Sequence, residues 1–186
     1  LDFLFLVYVS FSVSCNGKIG DLLFTYDKRI LIRCKTNRQN NCGFIGINVL
    51  IKINKLTEIK NSKGNIIKLL NRNEPSFSSF GELYISKINF DKIKGWKRHK
   101  KMKMNLFVIS GEVLFVFYYH KIKKFHTVKI SNNKTGVFVP NNIWFAFKGI
   151  SKKENIVMNF ANIPHQDNEA EKKNINFLDF NWNNVN

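Results

Sequence analysis

His99 lies in the stretch GWKRHKKMKMN, residues 95–105, among Lys97, Arg98, Lys100, Lys101 and Lys103. Cations close to a histidine disfavour its charged form and lower its pKa. A neutral imidazole at neutral pH is what a general base requires. The same cations suit a phosphate or diphosphate, Arg98 as a planar fork and Lys97 and Lys100 as point charges. A base and an anion clamp in one stretch fit a phosphorylated substrate that carries an acidic C–H bond. The competing reading of these residues is a solvated basic turn.

Other residue types with chemical capacity are scattered. His165, in NIPHQD, is a candidate proton donor or ligand contact, or the cap of a turn. Tyr84, in ELYIS beside Glu82, is a candidate phenolic donor. Trp96 and Trp144 offer flat surfaces for a nucleobase or sugar, whereas most of the 18 Phe are expected to fill a core. His120 and His126 sit in a Lys-rich hairpin and are expected to be exposed. No His-x-His pair occurs anywhere, so no metal centre is expected. Cys15, Cys34 and Cys42 form no Cys-x-x-Cys pair, which argues against a zinc site or a disulfide framework.

The elements that must position these residues are short strands. ELYISKINF (82–90), NLFVIS (105–110), EVLFVFYY (112–119), FHTVKI (125–130), VFV (137–139), IWFAFK (143–148) and NIVMNFA (155–161) are apolar runs closed by Gly, Pro or Asn. Their lengths and their β-branched and aromatic content predict an antiparallel all-β domain, a jelly roll enclosing a central cavity. The unbroken apolar run Val113–Tyr119 predicts a strand buried on both faces. In NIVMNFA, Ile156, Met158 and Phe160 share one face. The polar QDNEAEKKN (166–174) is the one place where a turn or two of helix is expected. Residues 1–53 show no steady period and are read as an N-terminal extension, with the compact domain over 54–186.

The net charge of +17 invites a polyanion. A blander cause is codon composition, because Lys, Asn, Ile and Phe are encoded by A- and T-rich codons. No recognition helix, zinc finger or aromatic RNA-reading motif supports nucleic acid, and a small anionic ligand accounts for the basic stretch better. The apolar run FLFLVYV (3–9) is too short to span a bilayer. It lacks a basic leader, so a fragment boundary or upstream extension is preferred to a signal peptide. The expected location is the cytoplasm, with no membrane partner.

Three stretches carry a family resemblance. SSFGELYISKINFDKIKGWKRHKKMKMNLFVISGEVLFVFY, VFVPNNIWFAFKGI and NFANIPHQDNEAE together resemble the dTDP-4-dehydrorhamnose 3,5-epimerase family. They are closest to an epimerase-like branch that reads Lys-Gly-Trp-x-x-His-Lys, a strand ending in Gly, Pro-x-x-x-Trp and Ile-Pro-His. FLDFNW (177–182) resembles the family's terminal acidic-aromatic segment, so the resemblance runs from 54 to 182. It implies a dimeric cupin-type jelly roll (a double-stranded β-helix) acting on nucleoside-diphosphate 4-keto-6-deoxy sugars in surface-polysaccharide biosynthesis. It also implies that no cofactor is needed, because the ketone acidifies the neighbouring carbons. His99 falls at the family's base, and Lys97, Arg98 and Lys100 fall in its phosphate- and enolate-facing stretch. His165 and Tyr84 are the candidates for the acid.

The chain also departs from the family. Arg-Gly-Leu-His is not reproduced, Met104 lies near the place of a lysine, and Tyr119 takes the place of an Asp. The acid tyrosine has no counterpart around Ile163, Pro164 and His165. A base without that acid epimerises one carbon, isomerises a ketone, or only binds the sugar. The alternative readings are a non-catalytic nucleotide-sugar-binding member of the family and, from another class, a nucleic-acid-binding β-barrel.

Overall fold

A computed structural model describes residues 51–131 and 134–183, and within the first 50 residues the backbone strands 22–26, 30–36 and 42–44. The chain divides into two compact units, 1–49 and 50–186. In the first, β1 (Leu22–Tyr26), β2 (Ile30–Thr36) and β3 (Cys42–Phe44) form an antiparallel sheet in that order. The register sets Cys34 opposite Phe44 and Cys42 opposite Thr36, so these two cysteines are not cross-strand partners. Cys15 and the apolar run 3–9 lie outside the described residues.

The second unit begins with β4 (Lys52–Lys55) and the hairpin β5 (Thr57–Ile59) and β6 (Ile66–Lys68). It continues through β7 (Glu82–Ile88), β8 (Ile93–His99), β9 (Met104–Ser110), β10 (Val113–Tyr119) and β11 (Lys124–Ile130). It ends with β12 (Thr135–Val139), β13 (Trp144–Gly149), β14 (Asn155–Ala161) and β15 (Ala170–Lys172). Two five-stranded antiparallel sheets result, ordered β11-β10-β13-β8-β15 and β4-β12-β9-β14-β7. From β7 to β15 the chain passes repeatedly between them, the jelly-roll connectivity that the short, evenly punctuated strands predict. Ile51 and Ile53 pack into this unit's core, so its edge lies before the expected residue 54.

Packing follows the strand period. Val113, Phe115 and Phe117 of β10 face between the sheets, with Leu106, Val108, Val137, Val157, Phe145 and Phe147. Leu114 and Val116, on its other face, join Trp96, Trp144 and Ala146 under the C-terminal residues Ile175, Leu178, Phe180 and Trp182. Strand β10 is therefore buried on both faces, as its composition predicts.

Ile156, Met158 and Phe160 share one face of β14 as expected, and two other expectations need correction. In β14 the fully buried face is Asn155, Val157, Asn159 and Ala161, while Ile156, Met158 and Phe160 are half-buried on the outer face. A buried Asn155 is tolerated because its side chain accepts from Glu112 N and Ser151 N and donates to the carbonyls of Ile88 and Ser151. Residues 166–174 form a turn and the edge strand β15, not a helix, because β8 offers an open edge for pairing. His126 is half-buried, not exposed: it pairs with Phe117 and shares its inward face. Among the described residues no helix is long and apolar enough to cross a membrane.

Candidate active site

The stretch around His99 is a strand, not a turn. β8 pairs with β13 on one side and β15 on the other. Its sequence hides this because the alternation breaks midway. Ile93 lies on the outer face, yet Lys97 lies opposite Phe145, a residue of the inner core. The register with β13 shifts between Phe145 and Phe147, which inserts one extra residue on β8 near Gly95 and Trp96. Without that bulge, strict alternation from Ile93 would turn Lys97 and His99 outward. Gly95 makes it possible: its φ is +132°, and a Cβ there would lie 2.5 Å from the Ala146 Cβ and 2.7 Å from its Cα.

His99, rotated inward, is 2% exposed and stacks on Phe145 with ring centroids 6.0 Å apart. Its Nδ1–H donates to Glu169 Oε2. The other carboxylate oxygen accepts from the backbone N–H groups of Lys101 and Met102, each at 2.8 Å. His99 Nε2 is buried and has no hydrogen-bond partner among the described residues. Burial, more than the surrounding cations, holds the imidazole pKa below its ordinary 6.5; Lys97 and His165 add to this, and Glu169 opposes it. Burial also pulls Glu169 upward, but the hydrogen bonds from His99, Met102 and Lys101 outweigh it and keep the carboxyl below its ordinary value. The pair therefore rests as neutral imidazole and carboxylate. A carboxylate that fixes Nδ1–H leaves the lone pair on Nε2, and that is the arrangement of a general base.

Tyr84 is half-buried on β7, in the facing sheet, with Asn159 of β14 as its register partner. Asn159 belongs to the inward face of β14, so Tyr84 also points between the sheets. Burial first, and then Glu82, raise its phenol pKa and keep it protonated. His165 is exposed, near enough to His99 to disfavour its charge, and sits at the rim of the site. Lys97 shares the inner face with His99.

Arg98, Trp96 and Trp144 face the other way. Arg98 donates to both oxygens of Glu171, at 2.8 and 2.9 Å, and lies 4.8 Å from the Trp144 ring centroid. Trp96 is fully buried beneath the C-terminal segment and donates its indole N–H to Ile175 O at 3.0 Å. The period of the strand sends all three to the outer face, so the structure does not bring them to His99. Lys100 also lies outside the space between the sheets. Its Nζ donates to Asn168 O at 2.9 Å, beside a surface pocket of about 340 Å³ lined by Lys100, Lys101, Gln166, Asp167, Asn168 and Glu169. Glu169 is the residue of the candidate site that sequence reasoning missed. Its one signal is an acidic side chain in the otherwise polar QDNEAE, with no spacing that ties it to His99. Among the described residues no three His, Cys, Asp or Glu side chains stand together as metal ligands.

Comparison with known proteins sharpens the family. The chain matches the family described as "FdtA: WxcM-like, C-terminal" over residues 50–182. No curated protein matches it. Among solved structures, a dTDP sugar isomerase from Desulfovibrio desulfuricans is 26% identical, with a TM-score of 0.66, covering 73% of this chain and 92% of that one. The WlaRB TDP-quinovose 3,4-ketoisomerase from Campylobacter jejuni is 19% identical, with a TM-score of 0.59 and coverages of 66% and 92%. The 3'-monoepimerase ChmJ from Streptomyces bikiniensis, in complex with dTDP-quinovose, is 8% identical, with a TM-score of 0.61 and coverages of 69% and 72%. These neighbours carry the cupin-like all-β fold expected from the sequence, and their reactions are sugar isomerisations and epimerisations rather than 3,5-epimerisation specifically. The match over residues 50–182 makes this chain a member of the FdtA, WxcM-like C-terminal family.

Proposed function

We propose that the protein is an isomerase that removes a proton from the carbon beside the keto group of a nucleoside-diphosphate 4-keto-6-deoxy sugar. The observation that carries this reading is His99: its Nδ1 is tied to a carboxylate, and its buried Nε2 is unpartnered. A neutral base in a desolvated site is suited to a C–H bond made acidic by a neighbouring ketone. The enolate that forms needs positive charge near its oxygen, and Lys97 on the same face supplies it. The family membership and the dTDP-sugar neighbours support the substrate class. A place in surface-polysaccharide biosynthesis, in the cytoplasm, follows from that substrate class. A homodimer is supported by the outer face of the edge strand β7, where Leu83 and Ile85 are each more than half exposed.

The reaction that needs fewest groups moves the ketone to the neighbouring carbon, since one base serves both carbons. Epimerisation is the second reading. It is favoured by Tyr84, a protonated phenol on the facing sheet that would deliver a proton to the opposite face of the sugar.

The test is proton exchange. The protein is incubated in D2O with nucleoside-diphosphate 4-keto-6-deoxyhexoses, and the sugar C3 and C5 protons are followed by NMR, with His99→Asn as control. Exchange lost in the variant supports the reading. Ligand binding without exchange would make the protein a nucleotide-sugar-binding relative. Tight, salt-sensitive binding of DNA or RNA with no sugar response would move it to the nucleic-acid class.

A further inference from the structure

The strands β8 and β15 make two cross-strand charge pairs one residue apart. On the outer face Arg98 opposes Glu171, a matched ion pair. On the inner face Lys97 opposes Lys172, two like charges. Directly opposed antiparallel residues keep their Cβ atoms about 4.5–5.5 Å apart, and like charges there are unfavourable. The unfavourable pair stands two residues from His99, on the face His99 shares, with Lys172 exposed at the open edge of the sheet.

We propose that Lys97 is a second proton-transfer residue of this site, working on the oxygens of the substrate while His99 works on its carbons. This rests on the reading of the substrate as a keto sugar. His99 Nε2 takes the proton of the carbon beside the ketone. That C–H electron pair becomes a C=C bond, and the carbonyl pair moves to oxygen. Lys97, as an ammonium, gives that oxygen a proton, leaving an enediol and a neutral amine. The amine then takes the proton of the neighbouring hydroxyl, whose O–H pair becomes the new C=O. The C=C pair takes the proton held by His99 at the former carbonyl carbon. The ketone has moved by one carbon, both residues return to their starting states, and no oxidant or reductant is needed.

Position favours Lys97 for this role over Tyr84. Lys97 and His99 share one strand and one face, so both address the same side of the sugar, whereas Tyr84 belongs to the facing sheet. The charged groups acting on Lys97 come from two sides: Lys172 and Glu169 from the C-terminal stretch, and Glu82 from β7. Burial and then Lys172 lower its pKa, against Glu169 and Glu82. A lysine held down in this way both gives and takes a proton more readily near neutrality.

The test uses the full chain. With a keto sugar that the wild type turns over, Lys97→Met is expected to lower kcat by about 100-fold or more with KM within a few-fold. Lys97→Arg, which keeps the charge but does not give up its proton, is expected not to restore turnover, and exogenous alkylamines are expected to restore it partly in Lys97→Ala. Independently of activity, NMR titration of ¹⁵N-labelled lysine side chains is expected to show Lys97 titrating below 10.5 and moving up in Lys172→Met. Full activity in Lys97→Arg would make Lys97 a charge clamp and overturn the proposal. So would a Lys97 that titrates with the other lysines and ignores Lys172→Met. A wild type with no turnover on any keto sugar, even with Lys97 shifted, overturns the functional reading and this inference with it.

Discussion

Glu169 holds His99 by Nδ1 across 70 residues of sequence, with its second oxygen pinned by the backbone N–H groups of Lys101 and Met102. The carboxylate thus locks the strand that carries His99 to the loop that follows it, and sets which imidazole nitrogen is free. Glu169→Gln is expected to lower kcat by roughly 10²–10⁴-fold, because an amide no longer stabilises the imidazolium that forms on proton abstraction. His99→Asn is expected to abolish turnover while nucleotide-sugar affinity stays within a few-fold. Steady-state kinetics with isothermal titration separates the two effects; loss of affinity to match the loss of rate would make the pair structural.

The same pair sets a pH dependence. His99 lies below 6.5 and Glu169 below 4.5 in the folded protein. Groups depressed on folding contribute fully above their unfolded values, and the contribution is lost as pH falls through the folded ones. Thermal stability is therefore expected to be level above about pH 6.5 and to decline below it, and kcat/KM to fall on the acid side at a pH below 6.5. Melting curves and rates across this range check both; a protein that gains stability on acidification would contradict the assignment.

Gly95→Ala tests the bulge. The new methyl would meet Ala146 at 2.5 Å in a backbone region that L-residues avoid. A cost of about 1–3 kcal/mol is expected from the backbone alone, together with loss of turnover as the strand re-phases. Unchanged melting and kinetics would show that the bulge does not aim His99.

Arg98→Ala tests which face matters. The guanidinium is spent on Glu171 and Trp144, both on the outer face. Stability is expected to fall by about 1 kcal/mol, with KM for the nucleotide sugar within a few-fold of wild type. A large rise in KM would return Arg98 to the substrate.

The two units are expected to be separable. A fragment of residues 50–186, which keeps Ile51 and Ile53 in the core, is expected to melt in one cooperative transition and to respond to the ligand as the full chain does. Calorimetry decides; a fragment that fails to fold would make residues 1–49 part of the domain.

The strands from β9 to β14 were legible in the sequence because each buries a face at period two or runs apolar throughout, and turn residues close each one. Burial of β10 on both faces followed from its unbroken apolar run. His99 stands out as the proposed base through its residue type and its neighbours. The bulge at Gly95 erased the alternation of β8, so the stretch did not read as a strand, and Arg98 and Trp96 were grouped with His99 by adjacency alone. Sequence adjacency carries no information about faces once the parity of a strand is shifted. The Glu169 partnership was invisible for a related reason: β15 pairs with β8 through an open sheet edge, and only the folded chain brings residue 169 to residue 99. The sequence by itself determined the all-β class and singled out His99 as the proposed base. The tertiary structure decided which side chains face it, because a side chain's direction depends on register and bulges, and its pKa on the burial and partners that follow from them.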